Sequence, residues 1–244
     1  MTNNSNGTGN AGICNNTVPQ LVDNAFNTMV QTYQSFFNFK LCPAIPNSDR
    51  KISFTERNLT FNFCNCYLQN AGVRNRDKIF VWQELDITQK PNKSGHIDSV
   101  IIDTRTEVHA ILFIEAKRIA NGGCKVNGKK VSKMEGLKND MDRLRHLDLP
   151  GFSTLSPKWN VPDDIKSIIN SHTTEIYIMA LVDYWEWGGS KNTNAAMESA
   201  DFEICAGRPF ELIGSVSSPK KGDYYLNYCL ENLKTQLGKC CPAM

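Results

Sequence analysis

The sequence predicts an α/β fold in which a mixed central sheet is flanked by helices. Three observations predict it. Apolar residues at helical spacing mark amphipathic segments at 18–37, 53–70 and 132–147. β-branched runs of strand length stand between the second and third, at 78–86, 97–103 and 108–117. A further run, 174–183, is almost continuously apolar, as a strand buried on both faces is. With 244 residues and 41% hydrophobic content, the chain can bury a sizeable core in one domain.

Residues 17–244 are therefore expected to form a single domain, with its core at about 53–183 and helical additions at both ends. Residues 1–16 hold Asn, Gly, Ser and Thr with almost no apolar content, the composition of a disordered tail. Gly7-Thr8-Gly9-Asn10-Ala11-Gly12 fits a dinucleotide-binding pattern by letter, but no strand precedes it.

In the first helix Leu21, Val22, Phe26, Met29, Val30, Tyr33 and Phe37 make one packing face. Cys42 to Asn47 reads as a loop. Ser53 and Glu56 then have the spacing of a capping box, and Leu59, Phe63, Cys66 and Tyr67 form the helical stripe behind it. Lys78 to Asp86 is the first core strand, and Gln89 to Gly95 the loop after it.

The stretch that organises the rest is Ile97 to Lys117. Two apolar runs flank Thr104-Arg105-Thr106-Glu107, which reads as an antiparallel hairpin with a tight turn. Along the second strand Glu115 and Lys117 share a face. A two- or four-residue loop pairs Asp98 with Phe113. Asp98 then lies diagonal to Glu115 on that same face, with Cβ atoms somewhat under ~7–8 Å apart. An odd loop would put the two acids on opposite faces. In the even register two carboxylates and a lysine converge. Two carboxylates can hold Mg²⁺, a hard cation that prefers oxygen. The cation can polarise a phosphodiester and acidify water. A lysine can stabilise charge developing on phosphate oxygens.

Asp98 with Glu115-Ala116-Lys117 resembles the active-site motif of the PD-(D/E)xK nuclease superfamily, although Ile97 stands where the family pattern has proline. The resemblance covers roughly residues 53–183 and implies a restriction-endonuclease-like core. It implies a Mg²⁺-dependent nuclease, with Mn²⁺ as a substitute, cleaving DNA as an endonuclease rather than an exonuclease. Asp98 and Glu115 would be metal ligands, and Asp98, Glu115 and Lys117 catalytic. The family often carries a glutamate on the helix before the first core strand, which makes Glu56 a catalytic candidate; the cap explains the same residue. Glu84 is the alternative auxiliary acid. The competing reading is a catalytically silent nucleic-acid-binding or protein-interaction module of the same fold.

Lys117 to Arg145 carries nine cations against three anions, a local charge of +6 in a chain of +2. Arg118, Lys125, Lys129, Lys130, Lys133 and Lys138 are the candidate nucleic-acid contacts, because a basic segment beside such a site suits the phosphate backbone. A solvated charged surface is the plainer account of them. The helix at 132–147 turns Met134, Leu137, Met141, Leu144 and Leu147 inward.

Beyond it, 161–169 reads as a short helix with acids at its start. Trp185 and Trp187, next to a loop, could stack bases or anchor the core. Phe210 to Ile213 suits an edge strand. Asp223 to Leu237 reads as a closing helix, its leucines available for core packing or a homodimer.

Nine cysteines without a CxxC pair, and four scattered histidines, argue against a zinc site. No apolar run reaches membrane length and no secretory leader is apparent, so no membrane partner and a cytoplasmic location are expected. Cys241 to Met244 has the outline of a prenylation box, but its middle residues suit one poorly.

Overall fold

The computed structural model describes residues 16–38, 56–86, 96–119, 124–126, 129–131, 133–146, 167–168, 174–187, 211–216 and 222–233. The protein is mixed α/β: a six-stranded mixed sheet with helices on both faces.

Helix α1 (Val18–Asn38) begins at a reciprocal cap. The Thr17 amide donates to Gln20 Oε1 at 3.0 Å, and the Gln20 amide to Thr17 Oγ1 at 3.4 Å. Such a cap satisfies amides that the first turn leaves without partners. Helix α2 (Glu56–Ala71) follows, with a short 3₁₀ helix at Val73–Lys78.

The sheet strands are β1 (Ile79–Asp86), β2 (His96–Asp103), β3 (Ala110–Ile119), β6 (Glu175–Trp187), β7 (Glu211–Val216) and β8 (Gly222–Asn232). Strands β4 (Cys124–Val126) and β5 (Lys129–Val131) form a separate hairpin. Helix α3 (Lys133–Arg145) follows that hairpin. The sheet order is β1-β2-β3-β6-β8-β7. Strands β1, β2 and β3 run antiparallel in turn, β6 is parallel to β3, and β8 and β7 return antiparallel.

Period-2 alternation divides the core between two faces. Leu112, Ile114 and Ala116 of β3 pack under α1 and α2, with Leu59, Phe63 and Phe26. Ile111 and Phe113 pack on the other face against Leu137, Met141 and Leu144 of α3. Strands β3 and β6 lie inside the sheet and are buried on both sides, which explains their uninterrupted apolar runs.

Three expectations need correction. The segment at 223–237 is not a closing helix: Gly222–Asn232 is strand β8. Tyr224, Leu226 and Tyr228 join the α1/α2 face while Tyr225 and Cys229 join the α3 face, so the period is 2. The leucines at 226, 230 and 233 mimic a helical stripe, but Tyr224, Tyr225 and Tyr228, around the first of them, suit a pleated sheet. Strand β6 extends past Asp183 to Trp187, so the tryptophans lie in the strand rather than after it. The β2–β3 connection is neither two nor four residues long: Asp103 pairs with Ala110, leaving 104–109 as the loop.

Among the described residues no helix is long and apolar enough to cross a membrane. The tail at 1–15, Ser53 with the proposed cap, Leu147, and most of 161–169 lie outside the described residues.

Candidate active site

The six-residue β2–β3 loop is still even, so the faces from Asp103 to Ser99 stay as the sequence predicts while the register moves by two. The backbone pairs run from Asp103–Ala110 to Ser99–Ile114. Continued by one step, this register would set Asp98 level with Glu115 instead of diagonal to it, but the ladder ends at Ser99–Ile114. At this point the Asp98 carboxylate accepts the Ala116 amide, Oδ2 to N at 2.7 Å.

The neighbouring edge strand keeps its register but changes face at the same level. Pairing of β1 with β2 runs through Gln83–Ser99 and resumes at Leu85–Ile97, passing over Glu84 and Asp98. Glu84 has φ 55°, a left-handed conformation that a non-glycine residue adopts at a cost of about 1–2 kcal/mol. Before the break, Gln83 and Ser99 face α2, where Gln83 Nε2 donates to Ser99 Oγ at 2.9 Å and Thr60 Oγ1 to Gln83 Oε1 at 3.1 Å. After it, Leu85 and Ile97 are buried on the α3 side. Asp98 sits at the turning point. Glu84 itself pairs with Arg57 on the surface, so its carboxylate is engaged away from the Asp98–Glu115 position.

Glu115 is 2% exposed and Lys117 lies two residues on, both facing α3. That helix supplies a partner to each. Lys117 Nζ is 2.8 Å from Asp140 Oδ2, and Arg143 Nη2 is 2.7 Å from Glu115 Oε1. Arg143 Nη2 also donates to the His96 carbonyl at 2.8 Å and lies 3.6 Å from Asp140 Oδ1. Sequence reasoning misses Asp140 and Arg143 as site residues. They flank the stripe Leu137, Met141 and Leu144, a signal that they border the sheet but not that they meet Glu115 and Lys117.

Glu56 opens α2 and approaches the same place from the other side of the sheet end. Its Oε1 accepts the Arg118 amide at 3.1 Å, and its charge acts on both Asp98 and Lys117. The helix packing thus aims Glu56 at the strand end.

The electrostatics follow from crowding. Burial first, then the charges of Asp98 and Asp140, push the Glu115 carboxyl up to about 8 in spite of Arg143 and Lys117. Burial likewise raises Asp98, opposed by the Ala116 amide and Lys117. For Lys117 burial disfavours the ammonium, but Asp140, Glu56 and Glu115 outweigh it and hold the group above its ordinary range. With every group ionised, Glu56, Asp98, Glu115 and Asp140 against Lys117 and Arg143 would carry −2, but the raised Glu115 carboxyl keeps its proton at neutral pH.

The candidate nucleic-acid contacts divide. Arg118 does not sit as a surface cation: its Nε and Nη2 donate to Asp183 Oδ2 at 2.7 and 2.5 Å, beneath α1 and α2. The Tyr224 hydroxyl donates to that same oxygen at 3.1 Å. Asp183 is a further functional-looking acid that sequence reasoning passes over, since it ends a continuous apolar run. Lys125, Lys129 and Lys130 lie on the β4–β5 hairpin, with Lys125 paired to Lys130 in register. Lys133 opens α3 and Lys138 is exposed on it; the side chains of Lys125, Lys129, Lys130 and Lys133 lie outside the described residues.

Asp98 and Glu115 supply hard oxygen donors, and that donor set suits a divalent cation such as Mg²⁺, which would favour the ionised form of Glu115. Among the described residues no group of three or more His, Cys, Asp or Glu side chains stands together as a ready metal cage. Comparisons of the chain with family models, curated proteins and solved structures gave no match.

Proposed function

We propose that the protein is a divalent-cation-dependent nuclease that hydrolyses phosphodiester bonds in DNA, with Asp98, Glu115 and Lys117 as its catalytic residues and Glu56 as auxiliary acid. One observation carries the reading: these four residues, from one helix and two strands, come together at a single sheet end, where their charges act on one another.

The element order agrees with a restriction-endonuclease-like core. Helix α2 precedes three antiparallel strands, and α3 crosses to a strand parallel with β3. Asp98 and Glu115 would hold Mg²⁺ or Mn²⁺. A cation bound there supplies charge neutralisation to the scissile phosphate and acidity to water. Lys117, kept protonated by Asp140, offers an ammonium to an attacking water or to the developing phosphate charge. Glu56, whose charge reaches Lys117, would accept a proton or hydrogen bond from water at the strand end. The hairpin lysines and Lys138 would follow the backbone of the nucleic acid beside the site.

A second reading, a silent module of this fold, is favoured by the pairing of Glu115 with Arg143 and of Lys117 with Asp140. In that reading α3 closes the site with ion pairs and no cation enters. Calorimetric titration of Mg²⁺ and Mn²⁺ separates the two. The nuclease reading expects saturable binding, abolished in Asp98→Ala, together with cleavage of plasmid, linear or single-stranded DNA. Absence of both would leave the silent module.

A further inference from the structure

We propose that Arg143 is the residue of this site that grips the substrate phosphate, held in reserve on Glu115 until a cation takes that carboxylate. The inference rests on the nuclease reading and deepens it.

Three arginines lie near the sheet end or on α3, and they are used differently. Arg118 commits Nε and Nη2 to Asp183. Arg145 commits Nε and Nη2 to Glu231 and Nη1 to Asp142. Arg143 differs from both. Its Nη2 alone serves Glu115 Oε1 and the His96 carbonyl, while its Nε is buried and has no hydrogen-bond partner among the described residues. A buried donor without a partner is costly to leave so. A guanidinium is a rigid fork, and its Nε and Nη2 are spaced for two oxygens of one phosphate or carboxylate. Here one tine is engaged and the other is not.

The place is also right. Arg143 reaches from α3 over the strand end to the acid assigned to the cation, and its side chain is 28% exposed. Glu115 beneath it is 2% exposed, so a ligand arriving from solvent meets the guanidinium first. A cation on Glu115 would compete with Arg143 for Oε1 and weaken that ion pair. The His96 carbonyl still tethers the guanidinium at the mouth. A phosphodiester brought in by the cation would then offer the two oxygens the fork lacks. A plain structural ion pair would neutralise Glu115 but would not leave Nε unpartnered.

The test uses the full chain with a labelled duplex oligonucleotide, Mg²⁺ for cleavage and Ca²⁺ for binding without turnover. Arg143→Ala is expected to bind Mg²⁺ as well as the wild type or better, because it frees Glu115. Its affinity for the duplex in Ca²⁺ and its cleavage rate should each fall by about 10- to 100-fold, the size of one charge-assisted hydrogen bond to phosphate. Arg143→Lys keeps the charge but not the fork and should recover only part of that fall. Cleavage and duplex affinity at wild-type level in Arg143→Ala, with Glu115→Ala inert, would overturn the proposal and leave the nuclease reading standing. Loss of Mg²⁺ binding in Arg143→Ala would also overturn it, by showing that the arginine only holds Glu115. If the alanine variant does not fold, Arg143→Lys decides: full wild-type turnover there refutes the fork. A wild type that neither binds Mg²⁺ nor cleaves would remove both the reading and this inference.

Discussion

Lys117 and Asp140 meet across the packing of β3 on α3, Nζ to Oδ2 at 2.8 Å, so the helix rather than the sheet holds the lysine in place. Both side chains are about one-fifth exposed, at 19% and 24%. As a contribution to folding such a pair is worth about 1 kcal/mol or less. In the proposed nuclease its contribution to chemistry would be larger, because Asp140 leads the charges that keep Lys117 protonated against its burial. Asp140→Asn should therefore lower the melting temperature only slightly. Its cleavage rate should fall by about tenfold or more, since an interaction that matters in the transition state shows in the rate. A variant that cuts normally would reduce the pair to a surface contact.

The acids and the lysine should fail in different ways. Asp98→Ala removes an oxygen donor and is expected to abolish both Mg²⁺ binding and cleavage. Lys117→Ala removes an ammonium, which is no ligand. It should keep the cation, even bind it more tightly, and still lose cleavage. Parallel calorimetry and cleavage assays read both. Lys117→Ala turning over at the wild-type rate would favour the silent module.

The hairpin gives a test of substrate binding. Lys125, Lys129 and Lys130 lie on β4 and β5, next in the chain after β3. Replacing all three with alanine should weaken duplex binding and flatten its salt dependence by ~0.9 in log–log slope for each phosphate no longer neutralised. An unchanged slope assigns them to solvation of the hairpin.

Much of this arrangement is legible in the sequence, for physical reasons that also mark where legibility ends. The parity of the β2–β3 hairpin places Glu115 and Lys117 on the α3 face, because apolar residues at alternate positions pin the two sides of β3, while Asp98 sits where β2 changes face between Ser99 and Ile97. The register itself is not legible. Nothing local distinguishes a loop of 104–107 from one of 104–109, and the move of two residues keeps every face. Strand β8 reads as a helix because a leucine every third or fourth residue satisfies one, while pairing with β6 along its whole length decides for a strand. The roles of Asp140 and Arg143 stay hidden because a helix's flanking charges acquire meaning only once its height over the sheet is known. Arg118 looks like one more surface cation, and its true partner lies 65 residues away.

Acidity gives a separate signature. The Glu115 carboxyl stands at about 8 in the folded protein, against an ordinary value of 4.5 that the unfolded chain is expected to show. Between those values the folded state keeps a proton that the unfolded state has released. Stability without a divalent cation must therefore fall as pH rises through this window, by up to about 1.4 kcal/mol per pH unit for one proton, and level off above it. Burial raises Asp98 as well and adds in the same direction. In chelator, melting curves of Glu115→Gln should lose most of this slope, since the amide has no proton to release. Saturating Mg²⁺ should flatten the wild-type curve by favouring the ionised form. Superimposable pH profiles for wild type and Glu115→Gln would show that the carboxyl is not raised.

Arg118 and Asp183 carry the last prediction, which separates folding from substrate binding. Asp183 is 1% exposed, with Oδ2 receiving Arg118 and Tyr224 and Oδ1 buried without a partner among the described residues. Around it, Tyr224 stacks on Tyr33 at 6.2 Å, and Asn62 Nδ2 donates to the Tyr33 hydroxyl at 3.1 Å. Arg118→Met would leave the Asp183 charge buried and uncompensated, a destabilisation of about 3–5 kcal/mol. Replacing both, as Arg118→Met with Asp183→Leu, removes the charge with its partner and should recover most of that stability, because apolar packing substitutes well for a buried pair. The Arg118 amide that holds Glu56 is backbone and survives either change. The double variant should therefore bind duplex DNA with the same salt slope as the wild type. A slope lower by about one phosphate would return Arg118 to the nucleic-acid surface. Denaturant melts and salt titrations of the single and double variants measure both quantities.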